Sequence, residues 1–121
     1  MKGSFDSNIL IDILNGVAAA AELWERYTER CISIVVWIEL MAGIRVAGAE
    51  LETVALLRTF QVVQLSDPIA DETVRIRQER RLKLPDAIIL ATARHLGCPL
   101  LTRNTRDFDA SDPGIVIPYR L

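Results

Sequence analysis

The stretch Leu84-Pro85-Asp86-Ala87-Ile88-Ile89-Leu90-Ala91 is the one around which the predicted fold is organised. Pro85 suits the first turn of a helix, where its missing N–H would have no partner. Seven uncharged residues separate Asp86 from Arg94, which predicts a largely buried helix with Asp86 at the positive end of its dipole. An ionised acid beside a core helix costs free energy unless something pairs with it. Taken alone, Asp86 is either a capping residue or a ligand.

Length and composition limit the class of protein. The 121 residues are half hydrophobic and a quarter charged, which is typical of a single globular domain spanning 1–121. A net charge of −2 gives no overall attraction to polyanions, so an anionic substrate requires a local basic patch or bound cations. Two cysteines in apolar runs and one histidine indicate neither a disulfide framework nor a zinc site. With no signal peptide and no membrane-length apolar run, we expect a cytoplasmic protein without a membrane partner.

Apolar, β-branched runs alternate with helical patterns along the chain. After a short strand that ends at residue 6, strands are predicted at 31–36, 61–65, 99–102 and 115–117. Helices are predicted at 9–14, 18–30, 37–46, 50–60 and 85–96, with one more opened by Pro68. This alternation predicts an α/β domain with a mostly parallel central sheet flanked by helices. In such sheets, strand C-termini and helix N-termini share one edge, and ligands bind there.

Four acids fall on that predicted edge. Asp6 closes the first strand and Glu39 lies near the start of the helix after the second, while Asp86 opens the core helix. Asp107 follows the strand 99–102. A like-charge pair about 5 Å apart costs roughly 3 kcal/mol at an effective dielectric near 20, so either some acids are protonated or a divalent cation lies among them. An all-oxygen site suits Mg²⁺ or Mn²⁺, and metal-activated water then predicts phosphodiester hydrolysis.

Each acid also has an ordinary structural explanation. Asp6 is a candidate helix cap, Glu39 a candidate solvated helix position and Asp107 a candidate loop acid. Asp12, between two isoleucines, is expected at an exposed helix position rather than as a ligand. The coincidence of the acids on one edge nevertheless favours a shared site.

Four segments in order carry a resemblance to a known family. Residues 5–12, FDSNILID, resemble the opening motif of PIN-domain nucleases, and residues 34–43 are similar to the second motif. Residues 85–93, PDAIILATA, resemble the third motif and 101–108 the fourth. No single motif is specific, but their order and the whole length resemble the VapC toxins of bacterial type II toxin–antitoxin pairs.

The resemblance implies a PIN-like three-layer α/β/α fold and a Mg²⁺- or Mn²⁺-dependent endoribonuclease that acts on tRNA or rRNA. It also implies a homodimer that a small VapB-type antitoxin inhibits. The antitoxin of such pairs usually packs against the helical hairpin that matches residues 37–60. Leu51, Val54 and Leu57 either supply that apolar surface or belong to the core.

The resemblance assigns the catalytic and metal-binding roles residue by residue. The positions that match Asp6, Glu39 and Asp86 are acidic ligands in the family. The fourth acid varies in place and falls at the position of either Asn104 or Asp107. Because position 104 is Asn here, Asp107 takes the acidic role and Asn104 a water-mediated one.

Two matches and one departure concern the surroundings of the acids. Asn8 and Thr102 match family positions that hydrogen-bond around the site. Relatives often carry Ser or Thr where this chain has Val36, so a capping hydroxyl is expected to be missing before Glu39.

A basic run at 75–83 leads directly into the core helix. Arg80, Arg81 and Lys83 either contact RNA phosphates beside the acids or form an ordinary solvated helix face. Phosphate contacts would explain how a net-acidic chain binds RNA, since they supply affinity without sequence information.

Two other functions compete with a nuclease. A receiver-like phosphoacceptor domain needs adjacent acids after the first strand and a late lysine. Asp6 has no acidic neighbour, and the lysines are Lys2 and Lys83, which argues against this class. A catalytically weak or inactive PIN-like module that binds RNA or protein stays open, because Val36 and Asn104 depart from the family pattern.

Overall fold

The computed structural model describes residues 1–44 and 48–121, which form five strands and six helices. In chain order these are β1 (Lys2–Phe5), α1 (Ser7–Leu14), α2 (Ala18–Arg26), β2 (Glu29–Ser33), α3 (Ile34–Ala42), α4 (Ala49–Leu57), β3 (Gln61–Val63), α5 (Asp67–Glu79), α6 (Leu84–Leu96), β4 (Leu100–Leu101) and β5 (Ile115–Val116). All the strand pairs are parallel, and the sheet has the order β3-β2-β1-β4-β5. The predicted α/β class is confirmed.

The core lies between the central strand β1 and the helices that flank the sheet. Phe5 at the end of β1 is fully buried, and its ring meets Tyr27 and Phe60 edge-on at centroid distances of 6.0 and 5.1 Å. Helix α6 packs against three strands and against α5. Its apolar residues are buried from Ala87 onward, as the uncharged run predicts, and it ends at Gly97 with a φ of 68°.

Two predicted boundaries are wrong for local reasons. The run 31–36 is not one strand, because β2 ends at Ser33 and Ile34–Ala42 is helical. The Ser33 hydroxyl accepts a hydrogen bond from the backbone N–H of Val35, which caps α3 and overrides the β-preference of the isoleucine and valines that follow. Helix α2 ends at Arg26 rather than at residue 30, since Glu29 and Arg30 pair with β1.

The remaining boundaries differ from prediction by a few residues at most. Helix α3 ends at Ala42, and its predicted end at Val46 lies outside the described residues. Among the helices in the described ranges, none has the length and apolarity that crossing a bilayer requires.

Candidate active site

The register of the sheet brings Asp6 and Thr102 together. Phe5 and Leu101 are partners across the parallel strands β1 and β4, so the next residue of each strand leaves the sheet at the same edge. The Thr102 hydroxyl donates to Asp6 Oδ2 at 2.7 Å, and the Asp6 backbone N–H donates to the Leu101 carbonyl at 2.9 Å. Asp6 also caps α1 by accepting from the Ser7 backbone N–H at 2.7 Å.

Asn8 completes the surroundings of Asp6. Its side-chain amide donates to Asp6 Oδ2 at 3.3 Å and to Thr102 Oγ1 at 3.2 Å. Its side-chain carbonyl accepts from the Arg103 backbone N–H at 3.0 Å. Both Asn8 and Thr102 therefore hydrogen-bond around Asp6, at the positions that the sequence suggested for a supporting role.

Glu39 lies on the second turn of α3 and is exposed. The Ser7 hydroxyl donates to its Oε1 at 2.5 Å, which ties α3 to the start of α1. The expected loss of a capping hydroxyl at Val36 is a wrong prediction, because Ser33 provides the cap three residues earlier. Sequence reasoning also missed Ser7 as a partner of Glu39, since nothing local links residues 32 positions apart.

Asp86 and Asp107 approach the same edge from two further elements. Asp86 lies in the first turn of α6 with its residue half-buried. Asp107 lies in the turn after β4, where its carboxylate accepts from the Asn104 amide at 3.0 Å. Asn104 in turn donates its backbone N–H to Thr102 Oγ1 at 3.1 Å. A continuous path of hydrogen bonds thus runs from Asp107 to Asp6.

The four acids interact electrostatically. Burial, together with the charges of Asp86 and Glu39, raises the pKa of Asp6 from 3.8 to about 6, although hydrogen bonds from Thr102 and Ser7 oppose the rise. Burial is also the main cause that raises the pKa of Asp86, with further contributions from Asp107 and Glu39, while Lys83 lowers it. The negative charges of Asp107 and Glu39 therefore raise the pKa of Asp86, and the charge of Asp86 raises the pKa of Asp6.

The chemistry of these donors fits a hard divalent cation. Asp6 is only 5 % exposed, yet no cationic side chain pairs with it among the described residues. Its side-chain partners Asn8 and Thr102 are uncharged, and the charges that act on it are those of Asp86 and Glu39. Carboxylate and hydroxyl oxygens are the ligands that Mg²⁺ and Mn²⁺ prefer. Within residues 1–44 and 48–121, however, no three acidic, Cys or His side chains are close enough to hold a metal ion together. The oxygen donors therefore suit a divalent cation by type, but their side chains are not grouped closely enough to coordinate one.

Asp12 is not the exposed helix residue that the sequence suggested. It is 3 % exposed and accepts two hydrogen bonds from Arg103, at 2.7 and 2.8 Å, and one from the Tyr119 hydroxyl at 2.7 Å. The hydrogen bonds from Arg103 are the main reason that the pKa of Asp12 is lowered. Its partners lie 91 and 107 positions away, so the local sequence gives no sign of them.

The basic run contains residues in different situations. Arg80 donates to Asp112 at 3.0 Å, and Arg77 donates to the Leu82 carbonyl at 3.0 Å. Arg81 and Lys83 are exposed and line a shallow pocket just before α6. Arg81 and Lys83 are therefore the better placed of the three suggested phosphate contacts.

An apolar groove lies beside Glu39, between α1, α3 and α4. Ile11, Leu14, Leu40 and Thr53 line it. Of the three residues suggested for an apolar docking surface, Leu57 is buried in the core, Val54 is half-buried and Leu51 is 81 % exposed.

Comparisons with known proteins give a consistent result. The PIN-domain profile matches residues 5–112, and no curated protein matches the chain. A solved structure described as a toxin–antitoxin complex from Klebsiella pneumoniae is similar with 44 % identity and a TM-score of 0.91, covering 99 % of this chain and 100 % of that one.

Two further solved structures are more distant. DNA-bound VapBC from Salmonella typhimurium is 25 % identical with a TM-score of 0.76, covering 95 % of each chain. FitAcB from Neisseria gonorrhoeae is 20 % identical with a TM-score of 0.80, covering 98 % of this chain and 99 % of that one, which indicates a shared fold.

Proposed function

We propose that this chain, which belongs to the PIN-domain family, is the toxin of a toxin–antitoxin pair and acts as a metal-dependent endoribonuclease. The matched region, residues 5–112, includes all four acids of the candidate site. The solved structure that is 44 % identical over nearly the whole chain is described as a toxin–antitoxin complex. The resemblance to PIN-domain nucleases and VapC toxins, first drawn from four short motifs, is confirmed.

The observation that carries the proposal is the environment of Asp6. A carboxylate that is buried next to two other acids, with its pKa raised to about 6, is unfavourable in the metal-free protein at neutral pH. Perturbed acids grouped at the C-terminal edge of a parallel sheet are typical of functional sites. A bound cation would remove the cost of this arrangement.

Asp6, Glu39, Asp86 and Asp107 would hold the Mg²⁺ or Mn²⁺. When bound, such a cation supplies an activated water and neutralises charge at a scissile phosphate. Thr102 and Asn8 fix the orientation of the Asp6 carboxylate, and Ser7 fixes that of Glu39. The buried, apolar body of α6 holds the backbone of Asp86 in place.

Arg81 and Lys83 are the proposed RNA contacts. They are exposed, positively charged and five and three positions before Asp86, respectively, so a strand bound to them reaches the acids. The ion pair with Asp112 leaves Arg80 a smaller role, because moving Arg80 to a phosphate would leave Asp112 without that partner. The substrate class that we propose is tRNA or rRNA.

The proposed partner is a small VapB-type antitoxin that occupies the apolar groove between α1, α3 and α4. Glu39 is one of the residues that line the groove, so a peptide lying in it contacts the edge of the site. We also propose a homodimer, consistent with the exposed apolar side chains of Trp37, Ile38 and Leu51.

The decisive experiment is cleavage of a panel of tRNAs and rRNA fragments by the purified chain. We expect cleavage in Mg²⁺ or Mn²⁺, none in EDTA, and none by Asp86→Asn with its far-UV circular dichroism unchanged. Asp71→Asn, which changes an exposed acid on α5, serves as the matched control and should cleave normally. Full activity of Asp86→Asn, or of the wild type in EDTA, would contradict the mechanism.

An inactive PIN-like binding module is the second candidate. It is favoured by one observation, the lack of three closely grouped ligands among the described residues. Such a module would bind RNA or protein without cleaving RNA in any metal. Growth arrest on expression, relieved by co-expression of the neighbouring small open reading frame, would favour the active toxin instead.

A further inference from the structure

Three residues from distant parts of the chain form a polar cluster behind the candidate site. Asp12 is on α1, Arg103 follows β4, and Tyr119 belongs to the segment after β5. Arg103 Nε and Nη2 donate to the two carboxylate oxygens of Asp12, and the Tyr119 hydroxyl donates to Oδ2. Paired bonds of this kind between a guanidinium and a carboxylate fix orientation as well as distance. We refer to Asp12, Arg103 and Tyr119 as the Asp12 cluster.

Helix α1 holds residue 103 at two points. Asn8 and Asp12 are four positions apart and thus lie on one face of the helix. The side-chain carbonyl of Asn8 accepts a hydrogen bond from the backbone N–H of Arg103, whereas the Asp12 carboxylate accepts hydrogen bonds from the Arg103 side chain. Because hydrogen bonds hold both the main chain and the side chain of Arg103, both its position along α1 and its orientation are restrained.

Residue 103 lies between the two halves of the site. Thr102 on one side donates to Asp6, and Asn104 on the other side donates to Asp107. Asn104 Oδ1 also accepts the backbone N–H groups of Arg106 and Asp107, which shapes the turn that carries Asp107. Fixing residue 103 therefore fixes the placement of Asp107 relative to Asp6.

On the basis of these contacts, we propose that the Asp12 cluster positions the turn 103–107, and through it Asp107 and Thr102, for the metal-dependent reaction. The proposal rests on the proposed nuclease function. Asp12, Arg103 and Tyr119 are positioning residues that act through Asn8, Thr102 and Asn104. Through Tyr119, the C-terminal segment becomes part of the support of the site.

The test separates positioning from stability. In the double variant Asp12→Leu/Arg103→Met, apolar side chains replace a partly buried ion pair, which costs far less stability than removing one partner alone. Arg103→Lys keeps the charge but loses the paired geometry, and Tyr119→Phe removes one donor. Arg94→Met is the matched control, since the Arg94 side chain is 31 % exposed in its ion pairs and that of Arg103 is 32 % exposed.

Two measurements do not depend on catalysis: amide hydrogen exchange at residues 103–107 in metal-free buffer, and the rise in melting temperature on adding Mn²⁺. For the double variant we expect about tenfold faster exchange at these amides. The same rise in melting temperature should need about tenfold more Mn²⁺, the loss of affinity typical when residues that orient metal ligands are replaced. RNA cleavage should require correspondingly more Mn²⁺. Arg103→Lys should lie between the double variant and the wild type, and Arg94→Met should match the wild type.

Amide exchange at 103–107 as slow in the double variant as in the wild type would overturn the proposal. Changes in exchange and in Mn²⁺ response as large in Arg94→Met as in the double variant would also overturn it. If the double variant does not fold, the same measurements on Arg103→Lys and Tyr119→Phe test the proposal. Wild-type amide exchange at 103–107 and a wild-type response of the melting temperature to Mn²⁺ in both variants would overturn the proposal. If the wild type neither cleaves RNA nor responds to Mn²⁺, the proposed function is wrong. The exchange data then still decide whether the cluster positions the turn.

Discussion

Replacing Asp6 by asparagine is expected to stabilise the metal-free protein at neutral pH. The ionised carboxylate is buried beside Asp86 and Glu39, which raises its pKa from 3.8 to about 6. At 1.36 kcal/mol per pKa unit, that rise corresponds to about 3 kcal/mol of destabilisation once Asp6 is ionised. Asparagine removes the charge and keeps an oxygen to accept the Ser7 backbone N–H.

The gain is reduced by lost hydrogen bonds. The Asp6 Oδ2 atom accepts from Thr102 and Asn8, and an amide nitrogen in its place cannot accept either bond. The two lost bonds together cost about 2 kcal/mol, which leaves a net gain of roughly 1 kcal/mol at neutral pH. For a chain of this size, that gain raises the melting temperature by roughly 4 °C.

The pH dependence has a definite sign. Below about pH 4, Asp6 carries a proton in both the folded and the unfolded wild type, so its charge has no effect. Between pH 4 and 6 the folded state binds more protons than the unfolded state, so the wild type loses stability as pH rises. The advantage of Asp6→Asn should therefore be largest above pH 6 and should change sign near pH 4, where only the cost of the lost hydrogen bonds is left.

Thermal unfolding in EDTA across pH 4 to 8 measures this difference directly. Asp109→Asn is the control, because hydrogen bonds to Ser111 lower the pKa of this exposed acid and its replacement should not stabilise the protein at pH 8. An Asp6→Asn variant that is less stable than the wild type by the same amount at pH 8 and at pH 4 would refute the argument. Added Mn²⁺ should raise the melting temperature of the wild type more than that of the variant.

Other predictions concern RNA binding, the antitoxin and the sheet. Replacing Arg81 and Lys83 together by alanine should weaken RNA binding in a filter-binding titration. If each residue contacts one phosphate of a single strand, the slope of log affinity against log salt should also become shallower by roughly 1.4. An unchanged slope would mean that the two residues belong to a solvated helix face. Ile11→Glu, at a 46 % exposed residue that lines the groove, should weaken antitoxin binding about tenfold or more in calorimetry, or about 1.4 kcal/mol, and an unchanged affinity would place the antitoxin elsewhere. Gly3→Ala should cost about 1–3 kcal/mol in urea unfolding, since its Cβ would lie 2.9 Å from side-chain atoms of Leu101 and Tyr27. A urea midpoint in Gly3→Ala equal to that of the wild type would show that the Leu101 and Tyr27 side chains shift without cost to make room for the methyl group.

The sequence was sufficient for features that depend on local pattern. The uncharged run after Asp86 predicts the buried helix α6, and Gly97 predicts its end, since only local geometry is involved. The order of strands and helices predicts a parallel sheet because few topologies fit that order. The edge where the acids lie follows from the same rule.

Features that depend on tertiary contacts could not be predicted. The β-branched residues Ile34, Val35 and Val36 favour a strand, but the Ser33 cap and packing make them helical. The isoleucines on either side of Asp12 favour a solvated position for it, yet Ile11 is 46 % exposed and Asp12 is buried. Arg103 and Tyr119, which lie 91 and 107 positions away, supply the hydrogen bonds that offset the cost of burying this carboxylate.

The eight residues of α1 show how a short helix can assemble a site from distant segments. Its cap, Asp6, contacts Thr102 after β4, and its first residue, Ser7, contacts Glu39 on α3. One turn apart, Asn8 and Asp12 hold residue 103. Each contact spans at least 32 positions of sequence: the pairing of β1 with β2 brings Ser7 near Glu39, and the pairing of β1 with β4 brings Asp6 near Thr102. The site is therefore a product of the completed sheet, and a change that shifts β4 against β1 by one residue would turn Thr102 away from Asp6 while leaving every local element intact.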